Sequence, residues 1–510
     1  MCRRLIYLYV LVCVFSACQE EQENPNKNLT LEAFSEMRRP DFAVDSREIR
    51  KHLKVLARTD NGDLTADKHI RRHYEEERPF LWIDRHGIDE RADSLMTFLE
   101  QVEQSGLSPD VFRRKQLTID MERIRSLDVG DSVKDINLVL ARLEYNLTKA
   151  FMRYCVGQRF GYLNAEYVMN HCDVKDSDSL HVTYYQLFDI KVKRPKDSFF
   201  AGMVRKISHD SVAMFLHEVQ PKNALYPRLV EYLNTGNLTE SQRLTTLCNI
   251  ERARWYLEDA PEQYKKYVLV NVPAYRLYAV CPDSTMSMRV GCGTKKSKTP
   301  LLTSKINRMD LNPQWFVPKS IAKGIVYSHG YLRRNNMYIF DRKQGKLDPS
   351  YASYSKVMEG KQYIVQRGGP GNSLGRIIFR FPNNHSVYLH DTSTPWVFDR
   401  SYRAVSHGCV RVQRPFDLAR FLLKDPEDDI LEKIRYSMTA DLRPHDGETE
   451  EEHPEIDKDM LVSQVKVNPE IPVFITYYTL YPNQEGVLTE YKDVYGYDRA
   501  LKERLKPYIK

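Results

Sequence analysis

The hydrophobic period of this chain changes once, near Tyr264, and that change separates two kinds of structure. Upstream, apolar residues recur at helical spacing. Ala92, Leu95, Met96, Leu99 and Val102 share one helical face, and Leu140, Leu143, Leu147, Ala150 and Phe151 form a second stripe. Gly106 can stop the first helix, and Ser108-Pro109 can cap and open the next. Thr239-x-x-Gln242 is a capping-box signature ahead of Leu244, Leu247, Cys248 and Trp255. Downstream the period shortens to two. Tyr267 to Pro273 reads as a strand, and Tyr275 to Val280 with Ser287 to Gly291 reads as a hairpin around Pro282-Asp283. A second hairpin joins Arg376–Phe381 to Ser386–His390 across Asn383-Asn384, and Val473 to Tyr481 is a late strand. The expected fold class is therefore α+β, with a helical domain over 41–260 followed by a β-rich domain over 264–505. Residues 316–362 are polar, Tyr-rich and without a period, an insertion of the length that forms lids or binding loops. Residues 444–459 are strongly acidic and read as a surface loop.

The N-terminus reads as an export signal. Arg3 and Arg4 precede an apolar run from Leu5 to Ala17, which is shorter than the roughly 20 residues of a membrane span. Phe15-Ser16-Ala17-Cys18 resembles a bacterial lipobox. That implies a signal peptide over 1–17, lipidation of Cys18 and a polar, flexible tether over 18–40, with a plain cleaved signal as the alternative. Export permits disulfides among Cys155, Cys172, Cys248, Cys281, Cys292 and Cys409, but spacing alone does not pair them. The net charge of +7 is mild for 510 residues, and no basic stretch is interleaved with aromatics, so a nucleic-acid partner is not implied.

Chemistry concentrates in two short segments, Tyr388-Leu389-His390-Asp391-Thr392 and Val405-Ser406-His407-Gly408-Cys409-Val410-Arg411. Alternation on a strand puts Val387 and Leu389 on one face and Ser386, Tyr388 and His390 on the other. Cys409 stands just ahead of a helix expected over Pro415–Leu423. A thiol becomes an effective nucleophile beside a base or a positive field, and His390, His407 and Arg411 offer both. Gly408 lets the backbone pass tightly, and nearby N–H groups could stabilise an oxyanion. His385, His390, His407 and Cys409 could also be metal ligands, but their spacing matches no zinc pattern, and no CxxC pair is present.

The run Ser406-His407-Gly408-Cys409-Val410-Arg411, preceded by His390, resembles the signature of the L,D-transpeptidase catalytic domain. Asn271-Val272-Pro273-Ala274-Tyr275, Asn312 to Pro318, Gly369 to Gly375, Ile471 to Phe474 and Asn249 to Trp255 resemble further segments of its large periplasmic branch. The resemblance covers residues 75–500 in patches. It implies that 41–260 is a scaffold, that 264–505 is the catalytic domain and that 316–362 is a capping lid. It further implies Cys409 as nucleophile, His390 as general base and acid, and His407, Gly408 and Ser406 as shapers of the nucleophile loop. Arg411 would hold the site together or meet a substrate carboxylate, and Tyr388 and Trp315 would line the groove. The family's histidine is oriented by a backbone carbonyl or small residue just after it, where this chain has Asp391. The small three-helix peptidoglycan-binding module common in large members has no room between about 200 and 250 as a complete unit, so it is either absent or degenerate. The implied reaction is 3→3 cross-linking of peptidoglycan stem peptides in cell-wall biosynthesis, in the periplasm, without a cofactor. An L,D-carboxypeptidase and a non-catalytic peptidoglycan-binding scaffold are the alternatives.

Overall fold

The computed structural model describes residues 43–126, 135–177, 181–424, 428–441 and 456–509. The expected signal, Cys18, the tether and most of the acidic loop lie outside them. The fold is α+β. The described residues fall into two compact units: one comprises those up to Glu100 with those of Pro109–Arg153 and Ser198–Phe215, the other those of Gln101–Ser108 and Tyr154–Asp197 with those from Leu216 onward.

The first unit is helical. It contains helices Ser46–Thr59, Thr65–Glu75, Glu90–Glu100, Arg114–Ser126 and most of Ile136–Phe160. Leu140, Leu143, Leu147, Ala150 and Phe151 are all buried, as the stripe requires. Helix Ile136–Phe160 is buried well beyond that stripe, because Glu144, Thr148 and Lys149 are inside as well. Glu144 is accommodated by saturation of its carboxylate. It accepts the backbone N–H groups of Leu81 at 2.6 Å, Trp82 at 2.9 Å and Ile83 at 3.1 Å, and the Tyr74 hydroxyl at 2.9 Å.

The second unit is built on strands, named here in chain order. They are β1 (Phe188–Asp189), β2 (Tyr267–Asn271), β3 (Arg276–Cys281), β4 (Ser284–Gly293) and β5 (Leu301–Leu311). An inserted group follows, β6 (Trp315–Phe316), β7 (Met337–Asp341), β8 (Gly345–Leu347) and β9 (Gln362–Gln366). The chain then adds β10 (Ile377–Arg380), β11 (Leu389–His390), β12 (Ala404–Ser406), β13 (Val410–Val412) and β14 (Gln464–Thr476). Eight strands run in the order β10-β11-β13-β4-β3-β2-β14-β5, and β5 pairs again with β10. The sheet thereby closes into a mixed barrel, which removes exposed edges from the ring. The pairs β11–β13 and β2–β14 are parallel and the rest of the ring is antiparallel. Alternate residues fill the interior, among them Val268, Val270, Leu277, Ala279, Val290, Phe379, Leu389, Val410, Val412, Val473 and Ile475.

Both expected hairpins form, β3–β4 with Cys281 opposite Ser284 and β10–β11 with Phe379 opposite Leu389. Three expectations shift. The late strand runs over Gln464–Thr476, and Leu480–Pro482 belongs to a separate small hairpin with Leu488–Glu490. The helix expected to stop at Gly106 ends at Glu100, and a 3-10 turn over Val102–Ser105 carries the chain to Gly106, whose φ is +78°. The segment expected to be irregular is ordered. It forms a four-stranded sheet, β6-β9-β7-β8, with helices Lys319–Ile325, His329–Arg334 and Tyr354–Glu359. Its own core contains Val317, Ala322, Leu332, Ile339, Val357 and Ile364. Elements this short offer too few repeats for a period to show.

Helix Glu240–Arg254 belongs to the barrel's unit, capped as expected by Thr239 and Gln242. Asn249 fixes it there, donating to Thr479 Oγ1 at 2.8 Å and accepting the Thr479 N–H at 3.0 Å. Arg252 pairs with buried Asp498 at 2.6 Å.

Removing the Glu144 carboxylate orphans three buried N–H groups. Glu144→Ala should therefore destabilise the protein by on the order of 3–5 kcal/mol, with Glu144→Gln intermediate. Urea unfolding of the two variants checks this, and an unchanged midpoint for Glu144→Ala contradicts it.

Candidate active site

The parallel pairing of β11 and β13 decides where the reactive side chains stand. Leu389 lies opposite Val410, and His390 opposite Arg411. Ladder partners share a face and successive residues alternate. Leu389 and Val410 both point into the barrel, where they are fully buried. His390 and Arg411 consequently share the outer face, together with Tyr388 and Cys409, two positions before each. The Tyr388 ring meets the imidazole edge-on, with centroids 5.8 Å apart.

The chain enters β13 through a tight turn. Gly408 has a φ of +117°, open to glycine and strained for other residues. Ser406 Oγ accepts the Gly408 N–H at 3.1 Å and donates to the Cys409 carbonyl at 2.5 Å. Ser406 thus staples the turn, and the Gly408 N–H is already spent inside it. The Cys409 side chain is partly buried against the main apolar cluster of this unit. Burial pushes its thiol pKa up, outweighing the hydrogen bonds from Tyr388 and the charges of Arg380 and Arg411. All six cysteines of the described residues are free thiols.

His390 is only 3% exposed. Burial, reinforced by the Arg411 charge, lowers its pKa to about 4. Its Nδ1 faces the Leu374 carbonyl oxygen at 3.4 Å. A carbonyl only accepts, so Nδ1 carries the proton and Nε2 keeps its lone pair. At neutral pH the resting site therefore holds a neutral thiol and a neutral imidazole on adjacent strands.

The loop bearing that carbonyl is pinned at several points. Asn372 accepts the Leu374 N–H at 2.7 Å and donates to the Arg367 carbonyl at 2.7 Å and the Pro313 carbonyl at 3.1 Å. Gly375 has a φ of +68°, and a Cβ there would lie 2.4 Å from Asp391 Cβ. Asp391 accepts the Arg376 N–H at 2.8 Å. Its carboxylate, held above its usual pKa by burial, supports the loop that orients His390. Arg411 donates to Thr394 Oγ1 at 3.2 Å, while its Nε is buried without a hydrogen-bond partner. Leu374 and Thr394 were missed by sequence reasoning. A backbone acceptor leaves no mark in sequence, and Thr394 is one hydroxyl in a polar turn.

The other candidates stand elsewhere. His407 is exposed, and Trp315 packs half-buried against the core of the insertion. His385 faces Asp189 at 3.8 Å. Among the described residues no group of three or more His, Cys, Asp or Glu side chains is placed to hold a metal ion.

Residues 265–431, which span this cluster, match the L,D-transpeptidase catalytic domain. The chain carries an L,D-transpeptidase domain. Residues 68–233 match the Scaffold domain that precedes it. A Haemophilus influenzae protein, assigned by name to the L,D-transpeptidases, is 24% identical over 330 residues, covering 62% of this chain and 61% of that protein. The match thus spans less than two thirds of that relative. The L,D-transpeptidases are peptidoglycan-modifying enzymes that act outside the cytoplasm.

A neutral thiol in this L,D-transpeptidase domain has a kinetic signature. Alkylation of Cys409 by iodoacetamide, followed by peptide mapping, should accelerate throughout pH 6–9 as the thiolate fraction grows. A plateau reached below pH 7 would instead reveal a preformed thiolate–imidazolium pair.

Proposed function

We propose that the protein is a cysteine L,D-transpeptidase forming 3→3 cross-links between peptidoglycan stem peptides, with release of D-Ala. The observation that carries this reading is the placement of Cys409 and His390 on one face of paired strands, with Nδ1 on the Leu374 carbonyl and Nε2 left basic. Cys409 is the nucleophile. Its proton passes to His390 Nε2 as the sulfur attacks the carbonyl of the third stem residue, a diamino acid. The C–N bond to D-Ala breaks, and the departing amine takes the proton from His390. The thioester on Cys409 is then attacked by the side-chain amine of a diamino acid on a second stem. That amine gives its proton through His390 to the leaving sulfur, which restores the thiol.

Arg411 has a spare N–H for a substrate carboxylate, and Tyr388 lines the groove. Ser406, His407 and Gly408 shape the nucleophile turn, and Asp391 holds the histidine's loop. Trp315 stands immediately before the insertion over 316–362, which caps the groove as a lid, and lines the groove at its entry. The steps require no metal or organic cofactor. The Scaffold region would support the catalytic domain. We place the protein in the periplasm, anchored through lipid on Cys18, in the service of cell-wall organisation and cell shape. No helix of the described residues is long and apolar enough to cross a membrane.

Purified muropeptides followed by mass spectrometry test the chemistry. Cys409→Ala should lose at least about 10³-fold in cross-linked dimer, and His390→Ala about 10²–10⁴-fold near neutral pH. Dimer formation by Cys409→Ala would sink the assignment. Tripeptide monomers in place of dimers from the unmodified protein would make it an L,D-carboxypeptidase.

Localisation has its own test. Cys18→Ser should move the protein from the membrane fraction to the soluble fraction on cell fractionation, and continued membrane association would defeat the lipid anchor.

A further inference from the structure

The outer face of the barrel carries a second polar feature beside the catalytic cluster. A cavity of about 580 Å³ is lined by Arg276, Arg289, Arg400, Arg403 and Lys492, with Asp399 and Glu490 as its acids. Arg276 and Arg289 are direct cross-strand partners on β3 and β4. Like charges placed opposite one another destabilise a sheet. Arg403 is only 8% exposed. Its three guanidinium nitrogens are spent on the carbonyls of Val290, Arg400 and Tyr275, at 3.1, 2.6 and 3.1 Å. A buried guanidinium ordinarily has a carboxylate partner. The pocket's nearest ion pair is Arg289 with exposed Asp399, at 3.9 Å. Arg276 and Lys492 have no hydrogen-bonded or ionic side-chain partner among the described residues. Burial and the charges of Arg289 and Arg276 all depress the Arg403 pKa, as expected where positive charge is uncompensated.

The pocket shares a face with the reactive residues. Arg289 and Gly291 lie on one face of β4, Gly291 pairs with Arg411, and Arg411 pairs with His390. Continuing the β4–β13 register puts Arg289 beside Gln413, four positions beyond Cys409. That is on the order of 14 Å, about four residues of extended peptide. Arg403 immediately precedes β12, whose last residue, Ser406, staples the Cys409 turn.

We infer that this arginine pocket binds carboxylates of a peptidoglycan stem peptide engaged at Cys409. The inference rests on the function proposed above and adds a specificity element to it. An anion between Arg276 and Arg289 would relieve their repulsion and supply the counter-charge that Arg403 lacks. The pocket would then favour stems with free carboxylates over amidated ones.

Full-chain protein carrying Cys409→Ala binds without turnover and is titrated calorimetrically with two probes, a free-acid stem tetrapeptide and the same peptide with its carboxylates amidated. The free acid should bind at least about tenfold more tightly, and Arg276→Gln with Lys492→Gln should remove most of the preference, leaving only what Arg411 supplies. Arg276→Gln alone should raise the Tm of the unliganded protein, because it removes a like-charge contact; an arginine serving only the fold would give the opposite. Equal Kd values, a preference that the double substitution does not diminish, or a lowered Tm would overturn the inference. Cross-linking by protein with Cys409 intact reports on the proposed function separately. A retained carboxylate preference without turnover would uphold the pocket and sink the reaction.

Discussion

Two rungs of parallel ladder, Leu389 to Val410 and His390 to Arg411, hold the site together. Slipping this register by one residue would turn His390 into the barrel and Leu389 out of it. The slip is prevented by the core, because Leu389, Val410 and Val412 are completely buried and would each have to surface. Hydrophobic burial of about 2 kcal/mol per side chain therefore enforces a geometry that the polar residues need and could not impose themselves. The closed barrel extends the effect around the ring, since displacing β11 also disturbs β10 and its second pairing with β5.

Burial has a cost that the surrounding backbone meets. A histidine this enclosed stays neutral with its Nε2 lone pair free, although its lowered pKa makes it a weak base. It still has to be oriented, and the orienting group is a main-chain carbonyl on a loop fixed by Asn372, Gly375 and Asp391. Each of these residues acts one step away from the imidazole. The thiol is likewise kept neutral, so the site stores its nucleophile as a protonated group. The charge needed for attack would be generated when the proton moves. The arginine-lined cavity shows the opposite logic, for there cations outnumber acids and the Arg276–Arg289 pair sets like charges opposite one another.

Much of this organisation was legible from residue order. The switch of period at Tyr264 separated helices from strands, and the Thr239 and Gln242 cap opened its helix where expected. The two hairpins around Pro282-Asp283 and Asn383-Asn384 formed because turn residues and alternation agreed locally. The order within 316–362 was not legible because its elements are too short to display a period, although Val317, Ala322, Leu332 and Ile339 do find one another in a core. Asp391 stands where the family places the group that orients the histidine, and nothing in sequence shows that its carboxylate is used by the Arg376 amide.

The sequence by itself determined the fold class, the placement of reactive types at His390 and Cys409, and the family that the Ser406–Arg411 run resembles. These depend on local pattern, which the linear chain contains. Only the tertiary structure decided that His390 is buried while His407 is exposed, that Leu374 supplies the orienting carbonyl, and that Arg276, Arg289 and Arg403 converge. Those facts depend on strand register and barrel closure. Both are set by contacts between residues far apart in the chain, where local pattern gives no warning of what will become a neighbour.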